Sequence, residues 1–485
     1  MADEAQQATG VSQSLNAGPL TPDLCVIGAG SGGLAVAAGA VQMGASVVLI
    51  ERGRMGGDCL NYGCVPSKSL IAAAKLANVW RHGGKFGVFY EPPRIDFAAV
   101  ADSVACVIAG IAPNDSQDRF ERLGVMVIRA EAHFVDRRAV EAGGTVIRPR
   151  RFVIATGSHP VVPPIPGLDH VPYFTNETIF ANREGPDHLI VIGGGPVGIE
   201  LAQAHRRLGS AVSVVDAGPL LAHEDPELAG QLVARLAEEG IAFKPSIGVE
   251  RVEHDGPTVT AVLANSERVT GSHLLIAAGR HPDTAALNLE AAGIEATPHG
   301  ITVDARLRTT NRRAFAIGDA AGGPQFTHVA LYHAGIVIRN ALFRLPARVD
   351  YRALPWVTYT DPELAQVGLT EAAARGQGDV RVSRWPFADN DRAQTERDTA
   401  GEVKIVTKRN GRIIGATILG TGAGDLILPW ALAISQKLKI AAMANLIVPY
   451  PTRGEAGKRA AGAYYTPTLF SPRTRRLVRF LARFG

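Results

Sequence analysis

Cysteine is scarce in this chain: four among 485 residues, at Cys25, Cys59, Cys64 and Cys106, with none after Cys106. That scarcity excludes a disulfide-stapled secreted scaffold. It points to a reducing compartment, where a disulfide serves chemistry rather than structure. An excess of charge of one sign is also missing. The formal net charge is only +4, so nothing general favours nucleic acid. No apolar run reads as membrane-spanning, and the N-terminal residues lack the basic start and apolar stretch of a secretion signal. The expectation is a cytoplasmic protein whose residues 1–21 form a disordered tail. What is abundant is glycine, 53 residues, which fits an α/β chain with many tight turns. The length leaves room for about two to four domains.

Two segments repeat one pattern. Leu24 begins a buried strand that runs into Gly28-Ala29-Gly30-Ser31-Gly32-Gly33 and an Ala-rich helix; a second strand then ends at Glu51. His188–Ile192 leads into Gly193-Gly194-Gly195-Pro196-Val197-Gly198, a helix, and a strand ending at Asp216. The interval from Gly28 to Glu51 equals that from Gly193 to Asp216. In each unit the first glycine makes the turn, the second admits a pyrophosphate, and the third lets helix pack on strand. The acid accepts hydrogen bonds from a ribose. Gly28, Gly30, Gly33 and Glu51 therefore read as one dinucleotide site, and Gly193, Gly195, Gly198 and Asp216 as another. Asp216 suits a free 2′-hydroxyl and repels a 2′-phosphate, which favours NADH, with NADPH as the alternative.

Between these units lies Gly56-Gly57-Asp58-Cys59-Leu60-Asn61-Tyr62-Gly63-Cys64-Val65-Pro66-Ser67-Lys68. On a regular helix five residues advance about 500°, which leaves the two sulfurs roughly 140° apart. That arrangement does not bring Cα atoms to the ~4.4–6.8 Å a disulfide needs. Gly63 and Pro66 supply a distorted helix start that brings them closer. Cys64 then falls in a first helical turn, where backbone N–H groups favour a thiolate, and Lys68 follows one turn later on the same face. The pair reads as a redox-active disulfide. The alternatives are two buried small hydrophobes or half a metal site, although no second Cys or His cluster completes four ligands.

These motifs in this order, with Phe152–Ser158, Leu274–Pro282 and Phe315–Asp319 between and after them, resemble the FAD-dependent pyridine nucleotide-disulfide oxidoreductases. That group includes dihydrolipoamide dehydrogenase, glutathione reductase and mercuric reductase, and the resemblance covers roughly residues 22 to 470. It implies an α/β fold with two Rossmann-like dinucleotide-binding domains and a C-terminal α+β dimerisation domain. By that analogy an FAD domain spans 22–172 and 280–350, an NAD(P) domain 173–279, a dimerisation domain 351–470, and a basic tail 471–485. It assigns FAD to the first fingerprint and the nicotinamide cofactor to the second. It also assigns Arg52, Gly57, Asp58, Thr156, Gly157, Gly279, Arg280, Gly318 and Asp319 to cofactor binding. The implied route runs from NADH to FAD to the Cys59–Cys64 disulfide and on to an acceptor. Cys64 would face the flavin, Cys59 would exchange with substrate, and Lys68 would pair with Glu200.

The departures bear on the acceptor. Disulfide reductases of this group carry His-Pro-Thr-x-x-Glu near the C-terminus, donated to the partner subunit. This chain has Tyr450-Pro451-Thr452-Arg453-Gly454-Glu455. A tyrosine near its ordinary pKa of about 10 is a poor proton shuttle at neutral pH. Mercuric reductases are similar in having tyrosine there, but they also carry a C-terminal Cys pair that this chain lacks. Asp58 stands where threonine is usual. The expectation is a mercuric-reductase-like homodimer acting on a metal ion or thiol-linked acceptor, with the substrate metal held transiently by Cys59 and Cys64 and no resident metal. The alternatives are a dihydrolipoamide-dehydrogenase-like disulfide reductase, a quinone reductase, or a non-catalytic flavin sensor or electron carrier. The tail 471–485 places Leu477, Phe480, Leu481 and Phe484 on one helical face among five arginines. It reads as packing on its own dimer, or as touching a membrane surface or a partner protein.

Overall fold

The computed structural model describes residues 18–484. Residues 1–17 of the expected tail lie outside the described residues. Leu20, within the expected tail, forms a parallel bridge with Ile147.

Two compact units emerge. One comprises the described residues up to Gly57 together with Asp115–Gly157 and Pro282–Arg348. Its centre is a parallel sheet in the order Ala314–Ala316, Arg151–Ile154, Leu24–Ile27, Val47–Ile50, Met126–Ile128. The two central strands, Leu24-Cys25-Val26-Ile27 and Val47-Val48-Leu49-Ile50, are continuous apolar runs buried at every position. That is how a strand covered on both faces reads in sequence. Helix α1 (Ser31–Gln42) packs against helix Thr327–Ala341. A three-stranded antiparallel sheet, Ala132–Asp136, Ala139–Ala142 and Thr145–Ile147, joins the same core, where Phe134 meets Phe152 edge-on at 5.0 Å.

The other unit comprises Asp58–Asn114, Ser158–His281 and the chain from Val349. It opens on α2 (Gly57–Asn61) and α3 (Cys64–Asn78). A four-stranded parallel sheet, Ile241–Lys244, Ala211–Val215, His188–Ile192, His273–Ile276, carries helix α4 (Pro196–Arg207). Leu70, Ala74 and Ala77 of α3 share one core with Ile199, Leu201 and Ala202 of α4. That packing places the cysteine-bearing segment with this unit. Downstream, a five-stranded antiparallel sheet runs Pro355–Thr358, Glu363–Gly368, Ile413–Gly420, Glu402–Lys408, Val380–Pro386. It is backed by helices that include Leu428–Ser435 and Gly454–Ala463.

Phe97–Arg122 is, by length and composition, long and apolar enough to cross a bilayer, and only 6 % of its most apolar window is buried within the chain. The stretch is not one helix: a 3-10 turn at Ala112–Asp115 separates Phe97–Ile111, which carries Asp102, from Gln117–Arg122. The final helix, Pro472–Leu481, is capped by Ser471, whose hydroxyl accepts from Thr474 N at 3.2 Å. It leaves Leu477, Phe480, Leu481 and Phe484 exposed.

Candidate active site

The first fingerprint builds a cradle from backbone. Gly28 holds φ = +104°, and a Cβ there would run into the Ala155 carbonyl; a Cβ on Gly33 would run into that of Gly28. Both positions therefore exclude a side chain. Gly57 is held close to Gly30, with 2.6 Å between its would-be Cβ and Gly30 Cα. Glu51 is aimed by the main chain, its two oxygens accepting from Ala29 N and Gly53 N at 2.6 Å each. Arg52 donates to Glu131 at 3.0 Å and to Asp283. Gly28, Glu51, Arg52, Thr156 and Asp283 line one open cavity. The Thr156 hydroxyl is buried without a protein partner, and Gly157 follows at φ = +74°. A buried hydroxyl of this kind awaits a polar ligand group, and the glycine cradle leaves room for a pyrophosphate. These features fit FAD.

Gly318 and Asp319 open a 3-10 turn in the same unit. Gly318 N donates to Nδ1 of buried His333 at 3.1 Å. His333 belongs to no motif in the sequence, and only the fold brings it to this turn. Burial depresses the His333 imidazole to about 4, which keeps it a neutral acceptor.

The second fingerprint repeats the design. Gly193 holds φ = +119°, a Cβ on Gly198 would run into the Gly193 carbonyl, and Gly195 faces open space. Asp216 accepts from Gly194 N and Gly218 N at 2.6 Å each. Gly279 holds φ = +113° at the end of the strand His273–Ile276, and Arg280 follows it. Buried His205 on α4 bonds the Leu201 carbonyl at 2.8 Å and is also depressed to about 4 by burial. For His205 and His333 the folded value of about 4 lies below the ordinary 6.5, so the stability they confer is complete above 6.5 and lost as pH falls toward 4. The thermal midpoint should therefore fall across that window, and His205→Gln should flatten part of the slope. A wild-type midpoint constant over the window would contradict this.

The cysteines occupy a helix break. Cys59 lies half-buried on α2, and Cys64, exposed, is the first residue of α3. Pro66 sits in the first turn of α3, where its missing N–H costs no hydrogen bond. Lys68 Nζ donates to Glu200 Oε2 at 2.8 Å. Glu200 is 5 % exposed, and its other oxygen accepts from Tyr359 N at 2.7 Å. Lys68 Nζ also sits 4.4 Å from the centre of the Tyr359 ring, whose phenol burial pushes up. Tyr359 was missed in the sequence, because only the fold brings Trp356–Glu363 to this pair.

Asp58 Oδ1 accepts from Arg280 Nη2 at 3.1 Å and from Asn176 Nδ2 at 3.2 Å. Tyr450 is 69 % exposed, and its hydroxyl donates to Asp391 Oδ2 at 2.9 Å. That bond to a carboxylate pushes the phenol's pKa up. Glu455 pairs with Arg459 at 2.8 Å rather than with Tyr450.

Two glycine cradles, each with an acid held by main-chain amides at its strand end, and a cysteine pair at a helix start fit a flavoprotein oxidoreductase linked to a pyridine nucleotide. The chain belongs to the pyridine nucleotide-disulphide oxidoreductase family, whose model matches residues 22–334 and whose dimerisation-domain model matches 354–461. It is 38% identical over 454 residues to a mercuric reductase of Streptomyces lividans, covering 91% of this chain and 96% of that one. It is also 38% identical over 450 residues to a dihydrolipoyl dehydrogenase of Geobacillus stearothermophilus, covering 90% and 94%. Among solved structures it resembles the Cu(II) complex of the HOCl-induced flavoprotein disulfide reductase RclA from Escherichia coli. That match has a TM-score of 0.82 and 29% identity, over 90% of this chain and 98% of that one. Members of this family use FAD and NAD(P)H.

Proposed function

We propose that this chain is an NADH-dependent flavoenzyme that passes two electrons through Cys59 and Cys64 to a soft metal ion or a thiol-linked acceptor, as a mercuric reductase does. The observation that carries this reading is Cys64 at the exposed start of α3, one turn from a Lys68–Glu200 pair. Bound FAD supplies the hydride acceptor that connects nicotinamide oxidation to thiol chemistry. Gly28, Gly30, Gly33, Glu51, Arg52, Gly57, Thr156, Gly157, Gly318 and Asp319 would hold it. Gly193, Gly195, Gly198 and Asp216 would serve the nicotinamide cofactor, and Asp58, Gly279 and Arg280 would complete the cofactor-binding set. The α3 N-terminus favours Cys64 as thiolate, and Lys68, oriented by Glu200 and Tyr359, fixes the charge balance beside it.

Tyr450 favours a metal acceptor over a plain disulfide. Its phenol, raised by Asp391, is further from neutral pH than a free tyrosine and so poorly placed to shuttle a proton to a leaving thiol. Reduction of a divalent soft ion by one NADH balances two electrons and releases one proton, with no thiol to protonate. The Cu(II) complex of RclA is consistent with this class of substrate. The likeness to dihydrolipoyl dehydrogenase favours the second reading, reduction of a small or protein-borne disulfide. We also propose the domain boundaries expected above, a cytoplasmic location and a homodimer. Exposed Leu428, Leu432 and Ile447, near Tyr450 in sequence, support a partner-covered face.

Anaerobic titration of the purified protein with NADH tests the electron route. A long-wavelength thiolate-to-flavin absorption band after about one equivalent is the expected result. Flavin bleaching without that band would show the thiols bypassed, and quinones would replace metals as acceptors.

A further inference from the structure

Beyond residue 461, where the dimerisation-domain match ends, the chain carries five arginines and no acidic residue. The helix Pro472–Leu481 in this stretch is braced by its own neighbours. Pro472 opens it without an amide to satisfy, Ser471 caps it, and Thr474 Oγ1 donates back to the Thr468 carbonyl at 2.7 Å. None of its residues is buried. At about 100° per residue, Leu477, Val478, Phe480 and Leu481 fall within roughly 160° of the helix surface. Arg475, Arg476 and Arg479 fall within roughly 100° on the opposite side. Phe484, in the closing turn, meets Phe480 edge-on at 5.2 Å and extends the apolar side. These five apolar residues are each more than half exposed, as are Leu469 and Phe470 just before the helix. Arg476 stands one turn before Phe480, and Arg475 three residues before Val478, so arginines border the apolar stripe along both edges.

We propose that the helix Pro472–Leu481 docks the protein on an anionic lipid surface, lying in the membrane plane with its leucines and phenylalanines in the boundary between headgroups and acyl chains. A bilayer surface offers both things that this helix presents a need for. The acyl boundary takes the apolar stripe, and the arginine stems at its edges reach back up to lipid phosphates. Ten residues of helix span about 15 Å, half of a hydrocarbon core, so the helix lies on the membrane and does not cross it. A second copy of the helix would cover the stripe, but it would set arginine borders against each other with no acid in the segment to pair them.

The test is flotation of the purified full chain with vesicles of phosphatidylcholine, with and without about one-third phosphatidylglycerol. Wild type should float with the anionic vesicles and bind pure phosphatidylcholine at least about tenfold more weakly. Replacing Arg475, Arg476 and Arg479 together by Gln should weaken anionic binding about a hundredfold, at about fivefold per arginine. Replacing Leu477, Phe480 and Leu481 together by Ser keeps every charge and should weaken it at least as much. Truncation after Ser471 leaves the matched domains untouched and should abolish flotation, with bound FAD, turnover in solution and native mass unchanged. Failure of wild type to float, or flotation retained by the truncated chain, would overturn the proposal. So would unweakened binding by the serine variant, which would mark a diffuse attraction of charge alone. A fall in native mass on truncation would place the apolar face against a second copy and overturn it as well.

Discussion

Cys59→Ser is expected to lower NADH-driven reduction of mercuric ion on the order of 10³-fold, while quinone reduction by the same variant changes by less than about twofold. The asymmetry follows from where each acceptor takes its electrons. A soft ion needs two sulfur ligands to be held and reduced, and serine is a hard, protonated oxygen that neither binds nor reduces it. A quinone needs only access to the reduced flavin. Cys59 is half-buried on α2 and Cys64 exposed at the head of α3, so the exchange of one sulfur for oxygen perturbs little packing. Retained flavin absorbance in the variant would confirm that the first cradle is intact. Loss of both activities together would indicate a folding defect, and loss of neither would place the acceptor site away from the cysteines.

Lys404→Met should destabilise the protein by about 3–5 kcal/mol in urea unfolding. Lys404 is 1% exposed in the strand Glu402–Lys408 and donates to Asp225 Oδ1 at 2.8 Å, where Asp225 is equally buried. It also reaches Glu227 at 2.9 Å. Asp225 caps the helix Pro226–Glu238 by accepting from Leu228 N. Removing the ammonium leaves that carboxylate buried against a helix start with only an amide for company. Methionine fills the volume, so the loss reports charge rather than a cavity. The double variant Lys404→Met with Asp225→Asn should recover at least half of the loss, because no uncompensated charge then remains. A cost under about 1 kcal/mol in the single variant would mean that water reaches the pair.

What was legible in the sequence was what local backbone geometry dictates. Gly28, Gly33, Gly193 and Gly198 are glycine because a Cβ would strike a specific carbonyl, so their spacing reveals the turn before any fold is known. The same holds for the Gly63 and Pro66 helix start around the cysteines. Partners supplied by the fold were not legible. Nothing near Asn176 or Tyr359 marks either as a neighbour of Asp58 or Glu200, because those hydrogen bonds span 118 and 159 positions. Lys404 was hidden for a different reason. A charged residue within a strand reads as solvent-facing, and only the arrival of Asp225 from another element makes its burial tolerable. Glu455 shows the converse, a motif position whose visible contact is with its own helix, at Arg459.

Glu51 and Asp216 end their strands in the same way, each gripped by one amide from the glycine turn and one amide two residues on. Their aim is therefore set by main chain, which point mutation seldom disturbs. The side chains around either acid are free to drift without misdirecting it. A doubled unit built like this is highly evolvable: the aim of its acid is inherited with the backbone, and everything around that anchor can be rewritten.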